Sequence, residues 1–463
     1  MTPILTGLLL FGIFMFFLSK GMEFGLRAAT AFLPFGASAV FLVGGLSVLS
    51  FSFCFLTMLG VWSLLIILQK SYPVRLELGA LIVLIICVYA IFITLIGPRL
   101  FRGEILVFSL DRSVVGYRLR HDIPSGLSPL VPTRGNISQL AYFLLTSFVF
   151  VMALSIARRS GPSVLHKAFI GAGLVNIVLA VLDIIGAGSV LSLFQTANYG
   201  YLTDVQLLGR ERITGGFPEA SSFGGFSAVM SAYFMQYFLN KRDALSAALG
   251  GMNFIFGLLS FSSTFILISA GIIGCLGIQF IFNLVKGRGI LRESKTLTLM
   301  VLFGLASGAL LIIATPLGSF LSDFLDHLIF NKTTSLSGYE RGKWALRGFE
   351  IGFESYGLGI GLGSTRSNGI LSVWFSNIGF IGILLFGWFY KSLLISKRGA
   401  FEKAEDIAFF NAARYGLIAK FFAAVVTATI PDPGILFALL AALSIASRRP
   451  IVLVLDKPAL RFT

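Results

Sequence analysis

The sequence predicts an all-α, polytopic membrane protein with about 12–13 transmembrane helices and a large late periplasmic loop containing a surface helix. Three observations carry that reading. Hydrophobic residues make up 56% of the 463 positions against 12% charged, and mean hydropathy is +0.90. A soluble chain of this length exposes far more charge. The apolar residues also fall in runs long enough to cross a hydrocarbon core of ~30 Å, which takes about 20 residues of helix. Finally, Lys and Arg cluster in every second, short connection, as cytoplasmic loops do.

Taken in order, the spans fall near 3–19, 26–45, 50–69, 76–97, 137–157, 164–186, 219–239, 245–261, 265–285, 296–314, 371–392, 408–428 and 434–447. Gly44-Gly45 divides the run from Ala28 to Leu68, so 12 and 13 spans both fit. The basic connections include Lys20/Arg27, Lys70/Arg75, Arg158/Arg159/Lys167, Lys241/Arg242, Lys286/Arg288, Lys391/Lys397 and Arg448/Arg449. The opposite side carries the long loops 98–136, 187–218 and 315–370, and long loops translocate largely regardless of their charge. With 13 spans the N-terminus lies outside. Pro3 to Leu18 lacks a basic leader and a small-residue cleavage site, so it reads as a retained span. In 339–356, Tyr339, Ala345, Phe349, Phe353 and Tyr356 share one helical face, with Glu340, Lys343, Arg347 and Glu354 on another. That pattern predicts a helix along the membrane surface. No change in composition marks off a soluble domain, and residues 1–463 read as one integral membrane domain.

The formal net charge of +15 does not imply nucleic acid, because the cations are spread among loops instead of forming one basic surface. Cys54, Cys87 and Cys275 lie in apolar runs without metal-type or disulfide spacing. The sequons Asn136-Ile137-Ser138 and Asn331-Lys332-Thr333 are short enough to be chance.

Two polar clusters stand out against this apolar background. The first runs Gly209-Arg210-Glu211-Arg212-Ile213-Thr214-Gly215-Gly216-Phe217-Pro218-Glu219. Its glycines permit a tight turn, Pro218 suits a helix start, and Glu219 falls in a first turn where the dipole favours a carboxylate. Glu219 is thus a candidate helix cap or a candidate base, and Arg210 a headgroup anchor or a ligand for substrate. The second cluster contains Ser337-Gly338-Tyr339-Glu340-Arg341-Gly342-Lys343-Trp344, and then Gly357, Gly359, Gly361 and Gly363 before Ser364-Thr365-Arg366-Ser367-Asn368. Between spans on the outer side this is no ATP loop. Its glycines allow close packing and can aim N–H groups at an anion, while Arg341 and Arg366 suit phosphate.

These clusters resemble those of the O-antigen polymerase/O-antigen ligase superfamily of bacterial envelope glycosyltransferases. The resemblance lies in Ser337-Gly338…Arg341…Trp344, in Gly359-Ile360-Gly361-Leu362-Gly363, in Gly379-Phe380-Ile381-Gly382 and, faintly, in Ser260-Phe261-Ser262-Ser263. It covers roughly 205–390; the first 200 residues match in hydropathy only. It implies a protein of the bacterial inner membrane that acts at the periplasmic face on an undecaprenyl-diphosphate-linked oligosaccharide. Arg212 and Arg341 would bind the diphosphate and Glu219 would take the acceptor proton, ahead of Glu340 and Asp323. Arg210, Arg347, Arg366, Ser367 and Asn368 would line the substrate site. Ligases of this kind carry His-Asn where this chain has Ser367-Asn368, and His121, His166 and His327 lie elsewhere. That departure favours a polymerase over a ligase acting on lipid A-core; a lipid-linked oligosaccharide flippase is the alternative from another class. The scheme needs no metal or cofactor. Its partners are the lipid-linked glycan and membrane lipid, with a chain-length-regulating co-polymerase as a further candidate. Of the remaining charges, Asp183 sits near the outer end of a span, and Lys420 lies too deep in another to snorkel, so it should pair within the bundle.

Overall fold

A computed structural model describes residues 2–43, 46–68, 77–109, 126–198, 206–207, 210–285, 336–396 and 399–450. It is mostly helical. In chain order the helices are α1 (Leu5–Ser19), α2 (Met22–Ala31), α3 (Ser50–Ile67), α4 (Leu78–Leu100), α5 (Arg134–Ser160), α6 (Ser163–Ile184) and α7 (Gly188–Ser192). There follow α8 (Ala220–Lys241), α9 (Ala244–Leu259), α10 (Ser263–Val285), α11 (Leu336–Glu354), α12 (Ile370–Leu394), α13 (Ala404–Thr427) and α14 (Ile435–Ala446). Among the described residues, α3, α4, α5, α6, α12 and α13 are long and apolar enough to cross a membrane; four shorter helices are also apolar. The helices obey local rules. Thr133 and Asn136 form a capping box at the start of α5, Asp243 caps α9, and Gly161, with φ of 88°, turns the chain between α5 and α6.

Most expected spans coincide with a helix to within a few residues, but 26–45 does not. Helix α2 stops at Ala31, and the chain then forms strands β2 (Ala39–Val43) and β3 (Leu46–Leu49), with β1 (Thr2–Pro3) alongside β2. Pro34 and Gly36 break the helical run, and the β-branched and aromatic residues after them suit a strand. The helical expectation holds for most of the described chain, and these short strands are what it did not include. The described residues also form two further two-stranded ribbons, β4 (Leu106–Val107) with β5 (Ser128–Pro129), and β6 (Gln206–Leu207) with β7 (Arg210–Glu211). The expected span 296–314 lies outside the described residues.

The helices alternate in direction, and buried contacts identify which ends lie together. At one end the start of α4 meets the ends of α5 and α14: Arg158 donates to both carboxylate oxygens of Glu77, at 2.6 and 2.8 Å, and to the carbonyls of Ile445 and Ala446. Ser160 donates to Glu23 and brings in the start of α2. His166, near the start of α6, bonds the Tyr233 hydroxyl at 2.9 Å and stacks on Tyr237, so α8 finishes here too. Lys241, Arg242, Lys391, Arg448 and Arg449 all lie at or beyond the helix termini of this basic end. Between the two ends runs one continuous apolar core that includes Phe14, Phe55, Phe169, Phe223, Tyr233 and Phe389. A small satellite core of Phe101, Ile105, Val107, Leu130, Ile351 and Ile360 lies at the opposite end.

Glu77 is only 3% exposed, and its charge is stabilised by one guanidinium. Breaking such a pair leaves an uncompensated buried charge, so Arg158→Ala should lower the unfolding free energy by about 3–5 kcal/mol, read from thermal melting in detergent. Asp243 offers a milder test. The Ser246 hydroxyl, helped by backbone N–H groups, holds its carboxyl below the usual range despite partial burial. A lowered native pKa means that this contribution is present above the ordinary carboxylate pKa and vanishes as pH falls through the native one. Asp243→Ala should cost about 1 kcal/mol at neutral pH, and the difference from the parent should shrink in strong acid as the charge-dependent part is lost.

Candidate functional site

The turn after Arg212 is built by partners far from it in sequence. Asp183, at the last turn of α6, accepts from the N–H groups of Thr214 and Gly215 at 2.7 and 2.8 Å. Gln195 donates to the Gly215 carbonyl, and the Gly216 carbonyl accepts from the Ala37 N–H, both at 2.8 Å. Gly215 adopts φ of 54°, and a Cβ on Gly216 would lie 2.9 Å from Leu179 Cδ1 and against the Pro34 carbonyl. Both glycines are therefore required by geometry. Arg212 reaches over to the junction of α9 and α10, where Nε and Nη2 donate to the Ser260 and Phe261 carbonyls at 3.4 and 3.2 Å. These carbonyls end a helix, where a cation is favourable.

Glu219 occupies the N-cap position of α8 with extended backbone, but its side chain makes no capping bond to the first-turn N–H groups. Its carboxylate accepts from the Ser222 hydroxyl at 3.4 Å. The capping alternative therefore does not account for this side chain. Arg210 pairs with Leu207 in the β6–β7 ribbon; its side chain lies outside the described residues, as does Asp323.

The second motif forms a compact cap. Helix α11 presents Gly348, Ile351 and Gly352 inward, continued by Ser355 just past its end, as a stripe of small or buried side chains. A Cβ on Gly352 would press into the Phe375 ring, so α11 approaches α12 closely. Its aromatic stripe faces outward instead, with Tyr339, Phe349 and Phe353 exposed. Arg347, expected to line the substrate site, turns inward. Its Nε donates to the Leu106 carbonyl at 2.9 Å, and its other nitrogens pair with Glu350 and Glu354 at 2.8 and 2.6 Å. Burial alone would lower its pKa, but the two carboxylates more than offset that and raise it, which keeps the fork charged and occupied. Arg341 is half-buried on α11, one turn before the half-buried Trp344.

The glycine-rich loop does not present its N–H groups to an anion. Gly359 N–H goes to Ser355 Oγ, Ile360 N–H to the Ser376 carbonyl, Gly361 N–H to the Asn377 carbonyl and Leu362 N–H to Thr94 Oγ1. The phosphate-cradle expectation is corrected for these positions: the loop is a packing device, and its donors are already used. Gly359, Gly361 and Gly363 all have φ between 73° and 89°, and Cβ atoms at the last two would lie within 2.9 Å of backbone in α4 and α5. Asn136 stitches α5 to the loop, donating to the Leu362 carbonyl and Ser364 Oγ at 2.8 Å each, so this sequon residue is buried. Ser367 bonds Ser372 at 2.5 Å and the Trp344 carbonyl at 3.2 Å. Arg366 lies over the Trp344 ring at 5.1 Å while its N–H donates to the Phe108 carbonyl. Asn368 donates to the Val426 carbonyl at 3.4 Å.

Both motifs thus sit at the same end of the bundle, opposite the Glu77–Arg158 pair. Helix α13 joins them. It packs along α8 with its first half beside the end of α8, where Asn411 bonds Asn240, so its C-terminus comes to the Glu219 end. There Gly369 N–H donates to the Ala428 carbonyl at 2.8 Å. The residue that sequence reasoning missed is Asp432, between α13 and α14. It accepts from Thr146 Oγ1 at 3.1 Å and the Gly434 N–H at 3.0 Å, and it interacts electrostatically with Lys420. Thr146 lies about 18 Å of helix rise from Arg134, so the carboxylate sits deep between helices. The visible signal was Ile430-Pro431-Asp432-Pro433-Gly434, a charged break in an apolar run after a buried lysine. His166, by contrast, is at the basic end, away from both motifs.

Asp183→Ala should strip two N–H groups of their acceptor. The expected result is a loss of about 1–3 kcal/mol in stability together with faster proteolysis within 205–218, and Asp183→Asn should show a smaller effect because it keeps one acceptor oxygen.

No protein-family model, curated protein or solved structure matches this chain.

Proposed function

We propose that the chain is a polysaccharide polymerase of the bacterial inner membrane, of the O-antigen polymerase/ligase type named above. In this reading it transfers a glycan from undecaprenyl diphosphate to a sugar hydroxyl of another lipid-linked repeat. The observation that carries the reading is that both arginine-bearing motifs occupy one end of an apolar bundle whose other end is basic. Under the positive-inside rule the basic end is cytoplasmic and the motif end periplasmic.

The chemistry asks for three things at that end. The acceptor oxygen attacks the anomeric carbon, the carbon–oxygen bond to the diphosphate breaks, and the diphosphate leaves with the electron pair. Guanidinium groups at the departing anion lower the barrier, a role for Arg212 and Arg341. Arg212 suits it because two backbone carbonyls orient its plane before substrate arrives. The hydroxyl proton passes to a carboxylate, a role for Glu219, whose side chain does not cap its own helix. Arg366 and Asn368 border the same end, whereas Arg347 and Ser367 hold the cap together and act on substrate only through its shape.

A second reading, transport of a lipid-linked oligosaccharide, draws on Asp432 and Lys420. Charged groups deep in a bundle beside an interrupted helix are a feature of transporters. Incubating purified protein with a defined undecaprenyl-diphosphate oligosaccharide separates the two. A ladder of products supports the polymerase, a single transfer to a different lipid supports a ligase, and an unchanged substrate that has crossed a liposome supports transport. Within the polymerase reading, Arg212→Ala and Arg341→Ala should each reduce the rate about 100- to 1000-fold at unchanged protein level. Glu219→Gln should lose turnover but keep donor binding, and full turnover in that variant removes it as the base.

A further inference from the structure

Two cavities flank the Glu77–Arg158 pair at the basic end, far from both motifs. One, of about 570 Å³, opens between α5 and the start of α13 and mixes cations with Glu402 and Asp406. The other, of about 500 Å³, lies between the start of α4 and the end of α12, and its chemistry is more selective. Leu78, Gly79 and Ile445 provide an apolar wall, while Lys391 and Arg449 are exposed cations at its rim. The carboxylate on its wall, Glu77, is already neutralised by Arg158. Arg448 also borders it but spends its guanidinium on the Ser444 and Ile395 carbonyls, both at 3.0 Å. Those carbonyls are neutral and leave Arg448 charged, but its guanidinium is turned into the backbone, so the exposed cations facing an occupant are Lys391 and Arg449.

Trp388 stands 44% exposed on the same wall, one turn before Lys391. A half-exposed tryptophan beside a lysine at a helix end is the usual furniture of the headgroup level. Helices α4 and α12 pack against each other, and both carry outward apolar side chains toward mid-bundle: Ile85 and Val88 on one, Leu384 and Ile381 on the other. An occupant must therefore be anionic at one end and apolar along the rest. We propose that this cavity binds one anionic phospholipid, its phosphate between Lys391 and Arg449 and its acyl chains along the α4–α12 groove. Basic pockets between helices on the cytoplasmic side hold such headgroups by charge. The inference is independent of the glycan-transfer reading and rests only on membrane insertion of the bundle.

The test is native mass spectrometry of the full chain, purified in mild detergent and offered phosphatidylglycerol or phosphatidylcholine. The unaltered protein should retain one phosphatidylglycerol in preference to phosphatidylcholine, and added inorganic phosphate should not displace it. The double variant K391Q/R449Q should lose that preference by about tenfold or more, while K391R/R449K keeps it. Equal retention of the two lipids by the unaltered protein overturns the proposal, and that comparison stands however the variants fold. An undiminished preference in a K391Q/R449Q protein of normal melting temperature overturns it as well.

Discussion

An interrupted helix and an irregular loop survive inside this bundle only because each supplies what the other lacks. Within an apolar surrounding, every backbone N–H and C=O left without a partner costs several kcal/mol. Helix α12 is kinked at Gly379, where φ of 64° breaks the helical ladder. The carbonyls of Ser376 and Asn377 are taken by the N–H groups of Ile360 and Gly361. Phe380 N–H, in turn, finds the Gly357 carbonyl, and Tyr89 Oη donates to the Ile378 carbonyl. The exchange requires backbone to lie on backbone, which any Cβ at Gly359 or Gly379 would prevent. The glycine spacing that resembled an anion loop is thus explained by the satisfaction of a kink.

From that contact the rest of the cap at the motif end follows. The loop is pinned to α4 through Thr94, to α5 through Asn136 and to the end of α13 through Ala428, so three helices meet at one seam. Helix α11 then lies over the seam by means of its small inward stripe, and Arg347 ties it to the β4–β5 ribbon. Charges used in this way are structural. The remaining charged groups at this end, Arg341 and Glu219 among them, are those on which the chemical reading concentrates. The basic end has a different logic: among the described residues, the deeply buried Glu77 is matched by a bidentate arginine, and Lys241, Arg242, Lys391, Arg448 and Arg449 stay near helix termini.

Much of this was legible in the residues. Long apolar runs placed α4, α5, α6, α12 and α13, and the surface periodicity of 339–356 found α11. The hairpin at 39–49 was not legible by hydropathy, because Ala39-Val40-Phe41-Leu42-Val43 is as apolar as any helix. Pro34, Gly36 and the Gly44-Gly45 pair marked breaks in the run without saying that strands would form there. For Arg347, periodicity distinguished an aromatic from a charged face, but not which of them meets the protein. The small residues at 348, 352 and 355 were the better guide, since close helix contact needs small side chains.

The sequence by itself determined a chain of apolar helices, the grouping of cations in alternate connections and the two motif segments. Each of these is a sum over neighbouring residues and needs no partner to be known. Tertiary structure alone decided how the polar groups are used. Asp183 holds a turn 31 residues away, Asn136 meets a loop 226 residues on, and Asp432 accepts from a helix 286 residues earlier. In an apolar bundle a buried polar group must find a partner wherever the fold brings one, and distance along the chain carries no record of that encounter.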